Sequence, residues 1–438
     1  MKDIYDLLIK LNQLNNINKI NKIILDNYNI FLKLTKINPT KKIKIQKNNI
    51  DDDDNNLYSI FILFHNNYLN LIKENCDRIV KYKEEIYENK SSNNYIVIAT
   101  NTKDKLNIFK IYLLIYYIES KLNKLENYLG FDFEFNTNHV VALCQINFEL
   151  CYTNNYKNNL ICLFDPEQLD EKWKLFFIHK IICSKYCYKI LHGSDSLDIK
   201  YIYYVLLQSK STLIEKFTHT FIDSKFLCEF KYYINNKELG KCKIYSLLLN
   251  EKIITQKKLD ELHINEEKMG PIYDIFIDIN NLNKHLLNYS FYDVIYLYHM
   301  IMKYKHELIN YDLINELTRL SYLVKRKIIN YIPVDEINIM NNYFFNYNGN
   351  LIRLNQYFKE KLDELLNNDL FNYICKVNYF KKSLLILVKF IIFKKLSNNN
   401  DILKKIKLKV LYDNKILNYN NDFLDSYPNL KKLIMSII

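Results

Sequence analysis

Three apolar runs set the fold. Leu129–Phe135, Val140–Phe148 and Leu160–Phe164 follow one another, separated by polar or turn-forming stretches. Segments this short, rich in aromatic and branched side chains, read as strands rather than helices. After them the pattern alternates: 167–185 reads as helix, Lys189–His192 as strand and 196–207 as helix. Ahead of them lie a β-rich run, Tyr95–Ala99, and an amphipathic helical stretch, Asp104–Leu125. Adjacent strands followed by strand–helix alternation predict an α/β domain whose mixed sheet is flanked by helices.

The flanks read differently. Ile4, Leu7, Leu8, Leu11 and Leu14 recur at helical spacing within 1–35, and Tyr58, Ile62, Leu69 and Ile72 do so within 57–90. Between them, 36–56 holds Pro39, a lysine run and Asp51–Asp54, the composition of a solvated linker. Ser91–Asn94 reads as a loop. Residues 281–308 are helical by period, and 311–438 read as mostly helical with Asn-rich breaks at 341–350 and 397–400. The expected organisation is a helical N-terminal extension at 1–93, an α/β domain at 94–310 and a basic, mostly helical region at 311–438.

Composition narrows the class. Hydrophobic residues make up 49% of the 438 and charged residues 25%, which excludes wholesale disorder, and 5 Gly with 5 Pro exclude a collagen-like chain. The longest apolar stretch, Leu384–Phe393, is short and split by Lys389, so no membrane span is expected. Met1-Lys2-Asp3 does not open a signal peptide. Nine scattered Cys, an odd number, predict reduced thiols and an intracellular setting. The formal charge is +12, and 311–438 carry 20 basic against 12 acidic residues, which suits a polyanionic partner. Heavy use of Asn, Lys, Ile and Tyr fits an AT-rich coding sequence, which inflates Lys and weakens the charge reading.

Three motifs carry chemistry. In Gly130-Phe131-Asp132-Phe133-Glu134-Phe135, alternate side chains share a face, so the phenylalanines enter a core while Asp132 and Glu134 point together the other way. Paired carboxylates are either solvated surface acids or ligands for a hard cation such as Mg²⁺ or Mn²⁺. In Lys189–Ile199 an apolar strand ends at His192-Gly193 and a helix begins. Its acids, Asp195 and Asp198, read either as helix-cap and first-turn residues or as site residues at a strand's carboxyl end. In Tyr289-Ser290-Phe291-Tyr292-Asp293, Tyr289 and Asp293 stand four apart on one helix face. Gly130 and Gly193 fall in two of these motifs of a glycine-poor chain, so each is expected to be sterically required.

Taken in order, an Asp-x-Glu strand, an acid after a strand–Gly turn and Tyr-x3-Asp on a helix resemble the DEDDy family of 3′–5′ exonucleases, which includes ribonuclease D and the Werner-type exonuclease domain. The likeness runs from about Tyr95 to Tyr304. Val141-Ala142-Leu143-Cys144-Gln145-Ile146 resembles the family's second strand, Ile161–Asp165 the third, and Phe221-Ile222-Asp223 the strand after the second motif. The resemblance implies a ribonuclease H-like fold and two divalent ions, Mg²⁺ or Mn²⁺, held by Asp132, Glu134, Asp198 and Asp293. It gives Tyr289 the attacking water, and it makes single-stranded or 3′-ended nucleic acid the substrate, with RNA favoured by His192-Gly193. One extra residue precedes Asp198, which leaves Asp195 as the alternative second acid. Tyr233–Leu282 shows none of the family's usual motifs. The rival reading is a catalytically silent domain that binds nucleic acid or protein.

Weaker constellations remain. His179, Cys183 and Cys187 would share a face if they lay on one helix, as a zinc site or as buried core thiols. Trp173 reads as a core or interface anchor. Lys404–Lys409 reads as a solvated charged face or a phosphate-tracking surface.

Overall fold

The structure is a computed structural model. It describes residues 2–27, 63–72, 79–86, 91–111, 113, 127–148, 159–185, 187–235 and 242–308, with short pieces at 311–312, 314–315, 318–319, 344–347 and 350–353. The region 36–56, most of 311–438 and Lys404–Lys409 lie outside the described residues. The chain forms two compact units, Met1–His192 with Lys243–Ile301, and Gly193–Cys242 with Met302–Ile438.

The first unit is built on six strands: β1 (Ile79–Ile86), β2 (Ser91–Ala99), β3 (Asn127–Phe135), β4 (Val141–Phe148), β5 (Asn159–Phe164) and β6 (Cys187–Leu191). They lie in the order β1-β2-β5-β4-β3-β6. β3, β4 and β5 form an antiparallel meander, β6 runs parallel to β3, β2 parallel to β5, and β1 antiparallel to β2. The sheet is therefore mixed, as the sequence predicts. Its helices are α1 (Lys2–Asn12), α2 (Ile17–Asp26), α3 (Glu171–Phe177), α4 (Ile244–Asn250), α5 (Gln256–Met269) and α6 (Lys284–Ile295), with residues 63–72 and 103–111 also helical.

Two expectations are corrected. The helical reading of 57–90 holds only for 63–72 among the described residues, and 79–86 form β1. Lys81, Lys83, Glu84 and Glu85 suit a helix by propensity, but backbone pairing of all eight residues with β2 overrides it. A charged edge strand also resists pairing with other chains. Ser91–Asn94, expected as a loop, begins β2 and pairs with the end of β1, Ser91 opposite Ile86.

The meander has two distinct faces. Phe131 lies opposite Ile146 and Phe133 opposite Cys144, all buried. On that side Phe109 packs against Phe148, Phe164 and Trp173, so Trp173 is a core anchor. On the other side Gly130, Asp132 and Glu134 line up with Asn147, Gln145 and Leu143. There α6 lies directly on the sheet. A Cβ on Gly130 would stand 2.7 Å from the Val294 carbonyl oxygen. The Asn147 side-chain amide donates to that same oxygen at 3.3 Å, and Phe291 meets Tyr95 edge-on. Gly130 is thus required by close approach of two backbones.

The second unit contains the strand Phe221–Asp223 and the helices Ser211–Thr218 and Ser224–Ile234. Arg319 donates through Nε to the Phe221 carbonyl at 2.6 Å. Cys228 and Cys242 are joined in a disulfide, against the expectation of reduced thiols throughout. They stand 14 positions apart in sequence, a span the fold closes and spacing alone does not reveal. Cys144, Cys162 and Cys183 are buried thiols. No helix among the described residues is long and apolar enough to cross a membrane.

Gly130→Ala should force α6 off the sheet and cost about 1–3 kcal/mol, as overpacking does. Urea unfolding should show a lower midpoint with an unchanged slope.

Candidate metal centre

The site begins with the pleat of β3. Strand alternation sends Phe131 and Phe133 inward and turns Asp132 and Glu134 to the α6 side. A register irregularity between Glu134 and Phe135 ends the regular pairing with β4 just beyond the two acids. From the opposite wall, α6 presents Tyr289 and Asp293 one turn apart. Because α6 sits so close to Gly130, Asp293 reaches the same space as the strand carboxylates. Oxygens of Asp132, Glu134 and Asp293 all lie within 4.8 Å of one another.

Charges so close repel. Two carboxylates at that separation cost about 3.5 kcal/mol at an effective dielectric of about 20. Glu134 and Asp293 are buried, 6% and 8% exposed, and Asp132 is partly buried. Burial pushes Asp132 from the ordinary 3.8 up to about 7, against hydrogen bonds from the Phe133 backbone and Glu134 that favour its charged form. Burial, then Asp132 and Glu266, raise Asp293 well above the carboxylate range. A cation would relieve both the repulsion and the desolvation, and three hard oxygen donors match Mg²⁺ or Mn²⁺ chemistry. Asp293 Oδ2 is buried without a hydrogen-bond partner, which leaves it bare for such an ion. The cluster could hold a metal ion.

The surrounding side chains fix the acids. Gln145, opposite Asp132 on β4, donates to Glu134 Oε1 at 3.2 Å. The Tyr245 hydroxyl donates to Asp293 Oδ1 at 3.3 Å. The negative charges of Asp293 and Glu134, with burial, hold the Tyr289 phenol well above its usual range, so it stays protonated. Tyr245, on α4, lies in the stretch without recognisable motifs, and nothing in its local sequence marks it.

The second predicted acid stands in the other unit. Asp198 is buried at the start of a helical turn, Asp198–Lys200, that continues as a π-helical segment to Leu206. The residue before it, Leu197, occupies the N-cap position and makes no side-chain cap bond. Asp195 forms an ion pair with Lys225 at 3.3 Å. The turn itself is held by Asp223, whose fully buried carboxylate accepts from the Gly193, Ser194 and Lys225 amides and the Ser194 hydroxyl. Gly193 has φ +66°, the left-handed conformation that favours glycine. The zinc alternative fails as a helix face. His179 is exposed on a π-helical turn, Cys183 is buried at its end, and Cys187 opens β6.

No family model matches the chain. It is 32% identical over 352 residues to the uncharacterized protein L533 of Acanthamoeba polyphaga mimivirus, an alignment that covers 73% of this chain and 67% of that protein. The chain belongs to the family of that mimivirus protein.

The metal-free acids should make stability fall with pH. Asp132 has a folded pKa raised above its unfolded value, so its contribution is fully present below about 4 and is lost as pH rises through about 7. Asp132→Asn should flatten that loss and stabilise the metal-free protein at pH 8 by on the order of 1 kcal/mol or more. Adding Mg²⁺ at pH 8 should raise the wild-type melting temperature and leave the variant's nearly unchanged. Thermal melts from pH 4 to 8, with and without Mg²⁺, measure both.

Proposed function

We propose that the protein is a metal-dependent 3′–5′ exonuclease with a ribonuclease H-like core, acting on single-stranded or 3′-ended nucleic acid, RNA ahead of DNA. The observation that carries this reading is the meeting of Asp132 and Glu134 from one strand with Asp293 and Tyr289 from one helix. Nothing in packing a sheet against a helix calls for three acids, two of them buried, at one point. The mixed sheet, with its meander β3-β4-β5 and parallel β6, supports the fold part of the reading.

The residues divide the work. Asp132, Glu134 and Asp293 would hold Mg²⁺ or Mn²⁺, two ions in the full reading. Bound there, such ions acidify a water and stabilise negative charge on phosphate oxygens. Tyr289, kept protonated by its acidic neighbours, would orient the attacking water by hydrogen bonding. The acids act as ligands, so no side chain serves as a nucleophile. Asp198 enters by the resemblance alone, with Asp195 as its alternative. An intracellular setting belongs to the same reading, and the Cys228–Cys242 bond is the feature that would weigh against a strongly reducing one.

The test is degradation of 5′-labelled and 3′-labelled single-stranded RNA and DNA with Mg²⁺, Mn²⁺ or chelator. Metal-dependent shortening from the 3′ end is expected, and Asp132→Ala/Glu134→Ala should abolish it. Tyr289→Phe should lower kcat by about 100-fold or more. Asp198→Asn beside Asp195→Asn identifies the second-motif acid, as the one whose loss removes activity. Binding of nucleic acid without any cleavage would sink the enzyme reading in favour of a silent binding module.

A further inference from the structure

One ligand of the candidate metal centre is gripped by a side chain from outside every motif. Tyr245 stands at the second position of α4, and its hydroxyl donates to Asp293 Oδ1 at 3.3 Å. The other carboxylate oxygen, Oδ2, is buried and has no hydrogen-bond partner. The plane of the carboxylate is therefore oriented, since turning it part-way about the Cβ–Cγ bond would break the bond to Tyr245. Tyr245 is 6% exposed, and its ring lies near that of His263 on α5, so packing between α4 and α5 fixes where the hydroxyl sits. Tyr289 also feels the charge of Asp293, but it lies on the same helix and moves with it. Tyr245 comes from a different helix and ties the acid to an independent anchor.

From this geometry we propose that Tyr245 is a positioning residue that presents Asp293 Oδ2 to the metal, an inference that rests on the metal-centre reading above. A neutral phenol is suited to this role. It supplies a strong donor to a carboxylate without bringing a positive charge that would compete with the cation for the three acids. A lysine in its place would neutralise the cluster and weaken its hold on a metal. Glu266 on α5 adds further negative potential around both Tyr245 and Asp293, which works in the same direction. Partners that orient metal ligands contribute about 10–100-fold in metal affinity.

The experiment titrates the full-length protein with Mn²⁺ alone and follows free Mn²⁺ by its electron paramagnetic resonance. Wild type, Tyr245→Phe and Tyr245→Leu are compared, with circular dichroism melts to confirm folding. Tyr245→Phe should weaken Mn²⁺ binding by about 10–100-fold, and Tyr245→Leu at least as much. Nuclease activity of Tyr245→Phe should recover at saturating Mn²⁺, because the ligand survives and only its orientation is relaxed. Wild-type affinity in Tyr245→Phe, with loss confined to Tyr245→Leu, would overturn the inference and leave the ring's packing as its sole role. Failure of the metal-centre reading looks different: the wild type itself would not bind Mn²⁺, or Asp132→Ala/Glu134→Ala would bind it as well as the wild type.

Discussion

The tightest constraint in the first unit is the contact of the α6 backbone with Gly130. The Val294 carbonyl occupies space that any β-carbon on residue 130 would need. That contact sets the height of α6 above β3, and Asn147 secures it by donating to the same carbonyl. Asp293 precedes Val294, and Asp132 is two residues beyond Gly130 on the same strand face. The missing side chain and the assembled acids are thus one geometric fact. A larger residue at 130 would lift the helix and carry Asp293 away from its partners.

Holding the acids together has an electrostatic cost, and the structure distributes it. Burial pushes Asp132 and Asp293 toward the neutral form, the charges of Asp132 and Glu266 add to this at Asp293, and the hydrogen bond from Tyr245 pulls Asp293 back. Each pairwise repulsion of about 3.5 kcal/mol exceeds the roughly 1.5–3 kcal/mol of a hydrogen bond to a charged group. The donors therefore orient the carboxylates more than they neutralise them. A bound cation would offset that repulsion, so the cluster could hold a metal ion rather than serve as a stabilising feature of the core.

The turn at Gly193-Ser194 in the second unit follows a different logic. There a single buried acid, Asp223, takes four hydrogen bonds and has its lone pairs satisfied by the chain itself. An acid in that state has little left to offer a metal. Asp223 and Asp293 are both buried aspartates, and the difference in their hydrogen bonding separates a staple from a candidate ligand.

Much of this is legible along one dimension. Strand runs, the alternation that splits Phe131 and Phe133 from Asp132 and Glu134, and the one-turn spacing of Tyr289 and Asp293 are local periodicities. The mixed α/β sheet and the candidate acids Asp132, Glu134 and Asp293 can therefore be read without coordinates, whereas their meeting at one point is implied by the family resemblance and seen only in the folded chain. Charged β1 escapes such a reading because its strand state comes from pairing with β2, not from its own residues. The Cys228–Cys242 bond and the grip of Tyr245 on Asp293 join residues 14 and 48 positions apart, across segments with no periodic relation to one another. Those two features belong to the folded chain alone, because spacing along a chain fixes which side chains share a face but not which faces meet.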